Sequence, residues 1–453
     1  MTLRTLLAVS AGALTLAFAG CAGQADDPVA HAMGTEPTLD KPETSLLPTL
    51  KIAEAKRWAP GQMPTAAHGL QVTAFATGLD HPRWLHVLPN GDVLVAETNA
   101  PERPEQGKGI RGYFQKEAMK KAGAVTPTAN RISLLRDKDG DGVAETKTAF
   151  LTGLNSPFGM ALAGGKLYIA NTDGVVSVPY TAGATQASAA PQTLTDLPGG
   201  PLNHHWTKAL IASKDGKKLY ATVGSNSNIA ENGMDKEEGR AAIWEIDAAT
   251  GEKRLFATGL RNPNGMDWEP TTGMLWTAVN ERDELGHNLV PDYITSVKDG
   301  GFYGWPWSYF GQTVDTRVKP ERPDMVAKAI APDYALGAHT ASLGLTFADG
   351  ARLGEQFKDG AFIGQHGSWN RDPFSGYKVI FVPFSGGKPI GGQPVDVLTG
   401  FIDAEKEIAF GRPVGVEIGK DGSLLVADDV GNAVWRVAAA GLTPPVDVAS
   451  RTK

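Results

Sequence analysis

Histidine, arginine and amide side chains recur together at glycine- and proline-bounded turns of this sequence. The turns are NHHW at 203–206, RNPNG at 261–265, QHGSWNR at 365–371 and GRP at 411–413. A guanidinium group is charged at neutral pH and binds carboxylates through paired hydrogen bonds, whereas an imidazole can accept a proton near neutral pH. If the fold brings these turns together, they predict a binding site for an anionic ligand with a histidine base beside it.

Two acidic loops offer the oxygen ligands that calcium prefers. The first is the NERDE segment at 280–284, and the second has Asp137, Asp139 and Asp141 at alternate positions, with Glu145 close behind. This spacing is typical of an EF-hand calcium loop. Thr148 stands where that loop has its last glutamate, so the alternative is an acidic hairpin turn. The pattern favours a structural calcium ion in the second loop.

The elements that must position these residues form a repeat. A turn, an apolar strand, a glycine-centred turn and a second apolar strand recur six times, at 78–98, 153–172, 205–225, 258–282, 343–370 and 411–429. Strand pairs joined by Asn-Gly or Asp-Gly are strong hairpin signals. The sequence therefore predicts an all-β, six-bladed β-propeller over residues 61–453, in which the polar turns meet around one axis. A seven-bladed ring with one degenerate repeat is the alternative.

The composition supports short strands and limits the partners. The chain has 453 residues with 54 glycines and 30 prolines, which favour turns and strands over long helices. The formal charge of −7 argues against nucleic acid as a partner. An inserted basic helix is predicted over residues 108–124.

The N-terminus has the features of an exported lipoprotein. Arg4 precedes an apolar run, and the small residues before Cys21, the only cysteine, resemble a bacterial lipobox. We predict a signal peptide at 1–20, lipidation of Cys21, a flexible tether at 21–60 and a periplasmic protein anchored to the outer membrane by lipid. The alternative is an ordinary signal peptide with an incidental cysteine.

Several motifs resemble one family. The segments NHHWTK, TGLRNPNGMDW, NERDELG, GGFYGWPWSYFG, QHGSWNR and GRPVGVEIGKDGSLLVADD are similar to those of the glucose/sorbosone dehydrogenase family, and the resemblance covers roughly residues 70–440. The family consists of soluble six-bladed propellers that use pyrroloquinoline quinone and Ca2+. The resemblance therefore implies both of these cofactors.

The resemblance also implies roles for single residues. The catalytic base falls on His205, with His204 as the alternative. Arg261 falls near the reactive quinone carbonyl and the substrate, with Asn262 following it in the same loop. Asn264 stands where better-known members have glutamine, a longer amide.

Further positions are implied around the cofactor. The backbone carbonyls of Glu281 and Arg282 would hold the cofactor-site calcium. Tyr303 would lie near the cofactor, and Arg412 would bind its carboxylates. This chain departs from the family in the fifth repeat, where simple alignment does not place the usual lysine. Arg371 is the expected substitute, and Lys378 is the alternative.

Together these expectations describe a quinoprotein dehydrogenase. It would oxidise a sugar or related aldehyde or hemiacetal, such as an aldose, sorbosone or pyranose, by hydride transfer to the quinone. An external acceptor, a quinone or a cytochrome, would then take the electrons. The alternatives are a lactonase-like, metal-dependent propeller hydrolase and a non-catalytic binding propeller.

Overall fold

The computed structural model describes residues 29–43, 49–101 and 119–441, and it is nearly all β. Within these ranges the helices are short: the 3-10 turns Val29–Ala32, Met234–Glu237 and Glu355–Phe357, the α-helix Pro323–Val326, and a helical turn at 119–121. No helix in the described ranges has the length and apolar character needed to cross a membrane. The predicted signal peptide, Cys21 and residues 108–118 lie outside the described residues.

The first half of the described chain contains four strands followed by three sheets. The leading strands are β1 (Met33–Gly34), β2 (Glu54–Ala55), β3 (Thr65–Ala66) and β4 (Leu70–Thr77). Sheet one contains β5 (Pro82–Val87), β6 (Val93–Glu97), β7 (Arg131–Arg136) and β8 (Thr146–Leu151). Sheet two contains β9 (Met160–Ala163), β10 (Lys166–Asn171), β11 (Gly174–Pro179) and β12 (Gln192–Asp196). Sheet three contains β13 (Leu210–Ala212), β14 (Lys218–Val223), β15 (Ala242–Asp247) and β16 (Lys253–Thr258).

The second half contains three further sheets and some short pairs. Sheet four contains β17 (Asn262–Trp268), β18 (Leu275–Asn280), β19 (Pro291–Ser296) and, after the short strands β20 (Gly301–Phe302), β21 (Ser308–Tyr309) and β22 (Thr313–Val314), β23 (Tyr334–Ala338). Sheet five contains β24 (Ser342–Phe347), β25 (Gly360–Gln365), β26 (Lys378–Ser385) and, after β27 (Lys388–Pro389), β28 (Val395–Thr399). After β29 (Ile402–Asp403) and β30 (Ile408–Ala409), sheet six contains β31 (Pro413–Ile418), β32 (Leu424–Asp428) and β33 (Ala433–Ala439), with β4 as its fourth strand.

Each predicted repeat supplies the first two strands of one sheet. The second strands are mostly apolar and mostly buried, and β6 (VLVAE) and β32 (LLVAD) are buried along their whole length. A strand buried on both faces needs no alternation of polar and apolar residues. A last strand such as β12 lies at the periphery and is mostly exposed.

The first strands of the six sheets face one another. In the described chain, β5, β9, β13, β17, β24 and β31 contact in that order, and β31 contacts β5. Glycine permits the close approach: a Cβ at Gly265 would lie 2.4 Å from the amide nitrogen of Leu345 on the next sheet, and a Cβ at Gly344 would lie 2.2 Å from the carbonyl of Val414. Since β4 also pairs with β33, strands from both ends of the described chain share one sheet.

The described part of the predicted tether is held on the sheets. Strand β1 pairs with β23, and β2 pairs with β30. The indole nitrogen of Trp58 donates to Asp428 Oδ2 over 2.7 Å, and its ring packs on Phe401 and Trp435. The predicted flexible tether is therefore wrong for β1, β2 and Trp58. Backbone pairing holds the two strands, and packing and a hydrogen bond hold the tryptophan.

Candidate functional site

Four of the first strands begin with an irregular register at the same end of the fold. The irregularities lie between Pro82 and Trp84, Pro263 and Met266, Ser342 and Gly344, and Pro413 and Val416. Three of them start at proline, which is tolerated at the first residues of a strand because it donates no ladder hydrogen bond. Bulges re-aim the neighbouring side chains. The four predicted polar turns and the segment before β5 thereby meet at one mouth.

His205 is fixed in one orientation on the third sheet. Its Nδ1 lies 2.8 Å from the carbonyl oxygen of Ser225. A carbonyl accepts but never donates a hydrogen bond, so this contact assigns the proton to Nδ1 and the lone pair to Nε2. His204 is exposed, and its ring packs edge-on against that of His205 at 4.7 Å. Of the two histidines, His205 has the tautomer required of a base at Nε2.

Arg261 and Asn262 lie beside His205. A Cβ at Gly224 would stand 2.4 Å from Asn262 Oδ1 and 2.5 Å from His205 Cβ, so both side chains crowd the same glycine. The amide of Ser225, whose carbonyl holds the imidazole, donates to the Arg261 carbonyl over 2.7 Å. The base, the guanidinium and one amide therefore belong to a single compact arrangement.

The guanidinium of Arg261 is buried, and hydrogen bonds from its nitrogen atoms fix its orientation. It donates to the carbonyl of Asn228 over 3.2 Å, to Asn228 Oδ1 over 3.0 Å and to the carbonyl of Glu281 over 2.6 Å. Asp283 Oδ2 lies 3.6 Å from it. Burial lowers the pKa of Arg261, but arginine stays charged in proteins. The loops at 225–231 and 280–284 thus hold one preorganised cation.

Asp283 links Arg261 to the fifth sheet. It accepts a hydrogen bond from Asn370 over 2.8 Å and lies 3.3 Å from His339 Nδ1, while His339 Nε2 lies 2.9 Å from the Gly286 carbonyl. Both acceptors are oxygens, so both ring nitrogens of His339 donate and the imidazole is a cation. Burial alone would lower the pKa of His339, but Asp283 outweighs it and raises that pKa. Burial alone would raise the pKa of Asp283, but His339 and Arg261 hold it at about 2.

A second charged cluster lies on sheets five, six and one. The fully buried carboxylate of Asp429 lies 2.8 Å from the guanidinium of Arg83, 2.9 Å from His366 Nε2 and 3.5 Å from His81 Nε2. Burial lowers the pKa of His81 to about 4 and also lowers the pKa of His366. Burial would raise the pKa of Asp429, but His366, His81 and Arg83 hold it far below its usual range.

Arg412 completes this cluster and has an unsatisfied donor. It donates to the Tyr377 hydroxyl over 2.8 Å and lies 4.9 Å from the centre of that ring. Its Nε is buried and has no acceptor among the described residues. An unpaired buried donor is costly unless a ligand satisfies it. Arg83 in turn lies over the ring of Trp206 at 5.8 Å, next to His205, so the two clusters face one mouth.

These residues fit a carboxylated ligand. Arg83 pairs with the buried carboxylate of Asp429, and Arg412 is close enough to Arg83 and His366 to lower their pKa values. The Nε atoms of both arginines are buried without an acceptor among the described residues. Pyrroloquinoline quinone has three carboxylates, and arginine binds such groups in pairs of hydrogen bonds. Arg83 and Arg412 are the residues that would hold this cofactor.

The calcium site implied at Glu281 and Arg282 fits less well. The Glu281 carbonyl already accepts from Arg261 over 2.6 Å, and a metal ion there would face that guanidinium. The side chain of Arg282 is fully buried, where it pairs with Asp315 at 3.1 Å and donates to the Ser308 carbonyl over 2.7 Å. A calcium ion at these carbonyls requires Arg261 to move.

Other predicted site residues have structural partners instead. Asn264 is fully buried, accepts from Thr207 Oγ1 and donates to the Asn262 carbonyl. The Tyr303 hydroxyl donates to the Ser296 carbonyl over 2.6 Å, and its ring is buried. The polar atoms of Asn264 and Tyr303 thus have partners inside the protein, and their cofactor contacts stay a prediction.

The fifth repeat offers no replacement for the family lysine at the two expected positions. Arg371 is buried and donates to the carbonyls of His287 and Pro373 over 2.9 and 2.8 Å. Lys378 lies in β26, where it pairs with Asp396 at 2.6 Å near the surface. The loop containing Arg371 folds onto the 287–288 segment, which sequence alignment could not show.

The second acidic loop is assembled as its sequence predicts. Ligand oxygens of Asp137, Asp139, Asp141 and Glu145 lie within 4.8 Å of one another. Asp137 also accepts hydrogen bonds from the amides of Gly140 and Gly142, as an acidic hairpin turn would. Calcium in this loop stays a prediction.

Sequence reasoning missed the residues that organise the mouth. They are His81, Arg83, Asn228, His339 and Asp429. His81 and Arg83 stand on either side of Pro82, the first residue of β5, and Arg412 stands directly before Pro413, the first residue of β31. A basic residue next to the first proline of a strand was therefore the sequence pattern that could have identified His81 and Arg83. The partners of Asp429 come from two other sheets, one and five, so no local pattern predicts them.

The comparisons with known proteins agree with this fold. A family model described as TrAA12-like matches residues 64–295 and 313–440. The pyrroloquinoline quinone-dependent pyranose dehydrogenase of Coprinopsis cinerea is 24% identical over 367 residues, which are 72% of this chain and 45% of that enzyme. This chain thus spans less than half the length of that relative.

Two solved structures share the fold. The holo form of the Coprinopsis cinerea pyranose dehydrogenase quinone domain aligns with a TM-score of 0.65 and 21% identity, covering 85% of this chain and 100% of that one. The calcium structure of a Trichoderma reesei enzyme of Carbohydrate-Active Enzymes Family AA12 aligns with a TM-score of 0.67 and 18% identity, covering 87% and 99%. Since the family model matches more than half of the sequence, the chain belongs to the TrAA12-like family, in agreement with its resemblance to the soluble quinone-dependent sugar dehydrogenases.

Proposed function

We propose that this chain is a pyrroloquinoline quinone-dependent dehydrogenase that oxidises a sugar or a related aldehyde or hemiacetal. The observation that carries the proposal is the mouth itself, where His205 with its lone pair on Nε2 stands beside buried Arg261 and near Arg83. Arg412, with an unsatisfied donor, belongs to the same mouth. A base, an oriented cation and an anion-binding cluster are what this oxidation requires.

The proposal includes a six-bladed propeller as the scaffold. Six sheets coincide with the six repeats, their first strands contact one another in sequence, and β31 contacts β5. The pairing of β4 with β33 supports closure of this ring. A closed arrangement leaves no long exposed strand edge and makes the mouth rigid.

Each protein group then has a defined part. His205 Nε2 accepts the proton of the substrate hydroxyl, and the Ser225 carbonyl keeps the imidazole in the required tautomer. Arg261 stabilises negative charge that develops on oxygen, because its guanidinium is fixed before the reaction. Bound pyrroloquinoline quinone would supply the two-electron acceptor. An external quinone or cytochrome would then take up the electrons.

Reconstitution tests the proposal. Apoprotein is mixed with pyrroloquinoline quinone, with and without Ca2+, and dye reduction is measured with aldoses, pyranoses and sorbosone. Quinone-dependent reduction that is lost in His205→Ala and retained in His204→Ala is the expected result. Binding of the quinone, measured separately by its absorbance, distinguishes an inactive binding propeller. Lactone opening without quinone, together with no dye reduction, would overturn the proposal in favour of a hydrolase.

The proposal also includes a role for Ca2+ in activity and export of the protein with a lipid anchor. Ca2+ is expected to increase activity after loading, and it would have to displace Arg261 from the Glu281 carbonyl. Export and lipid anchoring are inferred from Arg4, the apolar run and Cys21. Incorporation of labelled fatty acid into the wild-type chain and its loss in Cys21→Ser would support the anchor. Labelling of the Cys21→Ser variant would contradict it.

A further inference from the structure

Three polar side chains lie near the ends of the first strands that are opposite to the mouth. His86, Asp267 and Glu417 are each the last residue but one of a first strand, in β5, β17 and β31. Arg412 precedes β31 at the mouth, five residues before Glu417. An extended strand rises about 3.3 Å per residue, which separates these two residues by roughly 16 Å. The three side chains therefore form a place distinct from the proposed quinone site.

These residues line one cavity whose described lining contains two acidic side chains and no basic lysine or arginine. The cavity has a volume of about 320 Å³. Its lining includes the equivalent residue of every first strand: His86, Leu162, Ile211, Asp267, Thr346 and Glu417. No lysine or arginine is among the described residues that line it. Two carboxylates thus share a small space without a basic residue in its wall.

His86 and Glu417 face each other as two electron-pair donors. Nδ1 of His86 lies 3.9 Å from Glu417 Oε1, which is too far for a hydrogen bond. His86 Nε2 is buried and has no partner within the described chain. Glu417 Oε1 accepts only a long hydrogen bond of 3.3 Å from the Val87 amide. Among the described residues that line the cavity, none is a lysine or arginine that could neutralise or bridge these two groups.

Asp267 adds charge without adding a counterion. Its oxygens accept from the amides of Trp268 and Phe347, over 2.7 and 2.8 Å, and from Thr346 Oγ1 over 3.3 Å. These donors are neutral, so none of them supplies a positive charge to the carboxylate, and burial raises the pKa of Asp267 to about 6. Burying like charges without a counterion is unfavourable. A bound cation would remove this cost.

We propose that this cavity binds a partly hydrated divalent cation, held directly by Glu417 Oε1 and His86 Nδ1, with Asp267 balancing its charge. Ligand atoms of one divalent cation lie roughly 3 to 4 Å apart, because each is about 2.0 to 2.6 Å from the ion. The separation of 3.9 Å is within this range. Water molecules in the cavity would complete the coordination, as is common for ions held by few carboxylates.

Manganese binding tests the site without reference to activity. Mn2+ is titrated into the full chain without quinone and counted by electron paramagnetic resonance. All proteins contain Asp139→Asn and Asp141→Asn, so that the acidic loop does not contribute. We expect Glu417→Gln and His86→Gln each to lose one bound Mn2+ or to bind it at least tenfold more weakly. Ile211→Val, at an equivalent apolar position, should bind as the parent does.

Thermal unfolding and a charge-retaining variant distinguish loss of the site from loss of the fold. Thermal unfolding in chelator shows whether each variant folds, and Glu417→Asp, which retains the charge, should weaken Mn2+ binding less than Glu417→Gln. Mn2+ should raise the unfolding temperature of the parent more than that of Glu417→Gln. Equal Mn2+ counts together with equal affinities in the parent and Glu417→Gln, or no Mn2+ bound by the parent, would overturn the proposal.

Discussion

Replacing Asp283 by asparagine should destabilise the chain and loosen Arg261. Asp283 is the one carboxylate within 4 Å of both the Arg261 guanidinium and the His339 imidazolium among the described residues. Asparagine keeps the shape and a hydrogen-bonding oxygen but removes the charge. Two buried cations would then lose their counterion, which is far more costly than losing an exposed ion pair.

The pKa of Asp283 gives the expected size of the effect. It is about 2 in the folded chain, against an ordinary value of 3.8. Each pKa unit corresponds to about 1.4 kcal/mol, so the charge contributes roughly 2.5 kcal/mol at pH 7. Because the folded pKa is depressed, this stability is complete well above pH 3.8 and is lost as the pH falls towards 2. By pH 3, roughly half of it should be gone.

Urea unfolding of the wild type and Asp283→Asn at pH 7 and at pH 3 measures this contribution. The difference in unfolding free energy should be about 2.5 kcal/mol at pH 7 and clearly smaller at pH 3. Asp299→Asn is a matched control, because Asp299 pairs with Arg254 at 2.6 Å on the surface. Its replacement should leave stability essentially unchanged.

Two results would refute the reasoning about Asp283. One is a variant as stable as the wild type at pH 7. The other is a loss of stability that does not shrink on acidification, which would indicate altered packing instead of a lost charge. The pKa of His339, followed by NMR, should also fall in Asp283→Asn, because the carboxylate is what raises it. An unchanged pKa would contradict the assigned contact.

Three other predictions address the site and its scaffold. In reconstituted enzyme, His205→Gln should lower kcat about 100-fold or more while His204→Gln has little effect; similar rates for both would contradict the tautomer argument. Arg412→Gln should weaken quinone binding at least tenfold, measured by titration of the absorbance, since it removes the guanidinium and its buried Nε donor, which has no acceptor in the described chain; unchanged affinity would count against the anion cluster. Gly265→Ala should lower the unfolding free energy by about 1–3 kcal/mol, whereas Gly391→Ala, where a Cβ would meet its nearest neighbour at 3.5 Å, should be close to neutral; equal effects would contradict the close approach of the sheets.

Several features of the fold could be predicted because they depend on local sequence. Glycine-centred turns between apolar runs predict hairpins from neighbouring residues alone, and each of the six repeats supplies two paired strands. The short motifs around His205, Arg261 and Arg412 are also local. The family resemblance follows from them, and the family match confirms it.

Contacts between sheets could not be predicted from those patterns. Alignment places Asn264 and Tyr303 near a cofactor, but their polar atoms bond to Thr207 and Ser296 inside the protein. Arg371 has the expected charge, yet its guanidinium holds the carbonyls of a neighbouring loop. The residue type sets the number of donors and acceptors, whereas the neighbouring chain segments decide which partners satisfy them.

The sequence by itself therefore determined the strand pairs, the repeat and the family, because hairpins and turn residues act over a few positions. Only the tertiary structure decided which charges meet. Arg83 reaches Asp429 from 346 positions away, and Asp283 reaches Asn370 across 87. Such pairs form when the sheets face one another, since Coulombic attraction and hydrogen bonding depend on distance in space and not on separation along the chain.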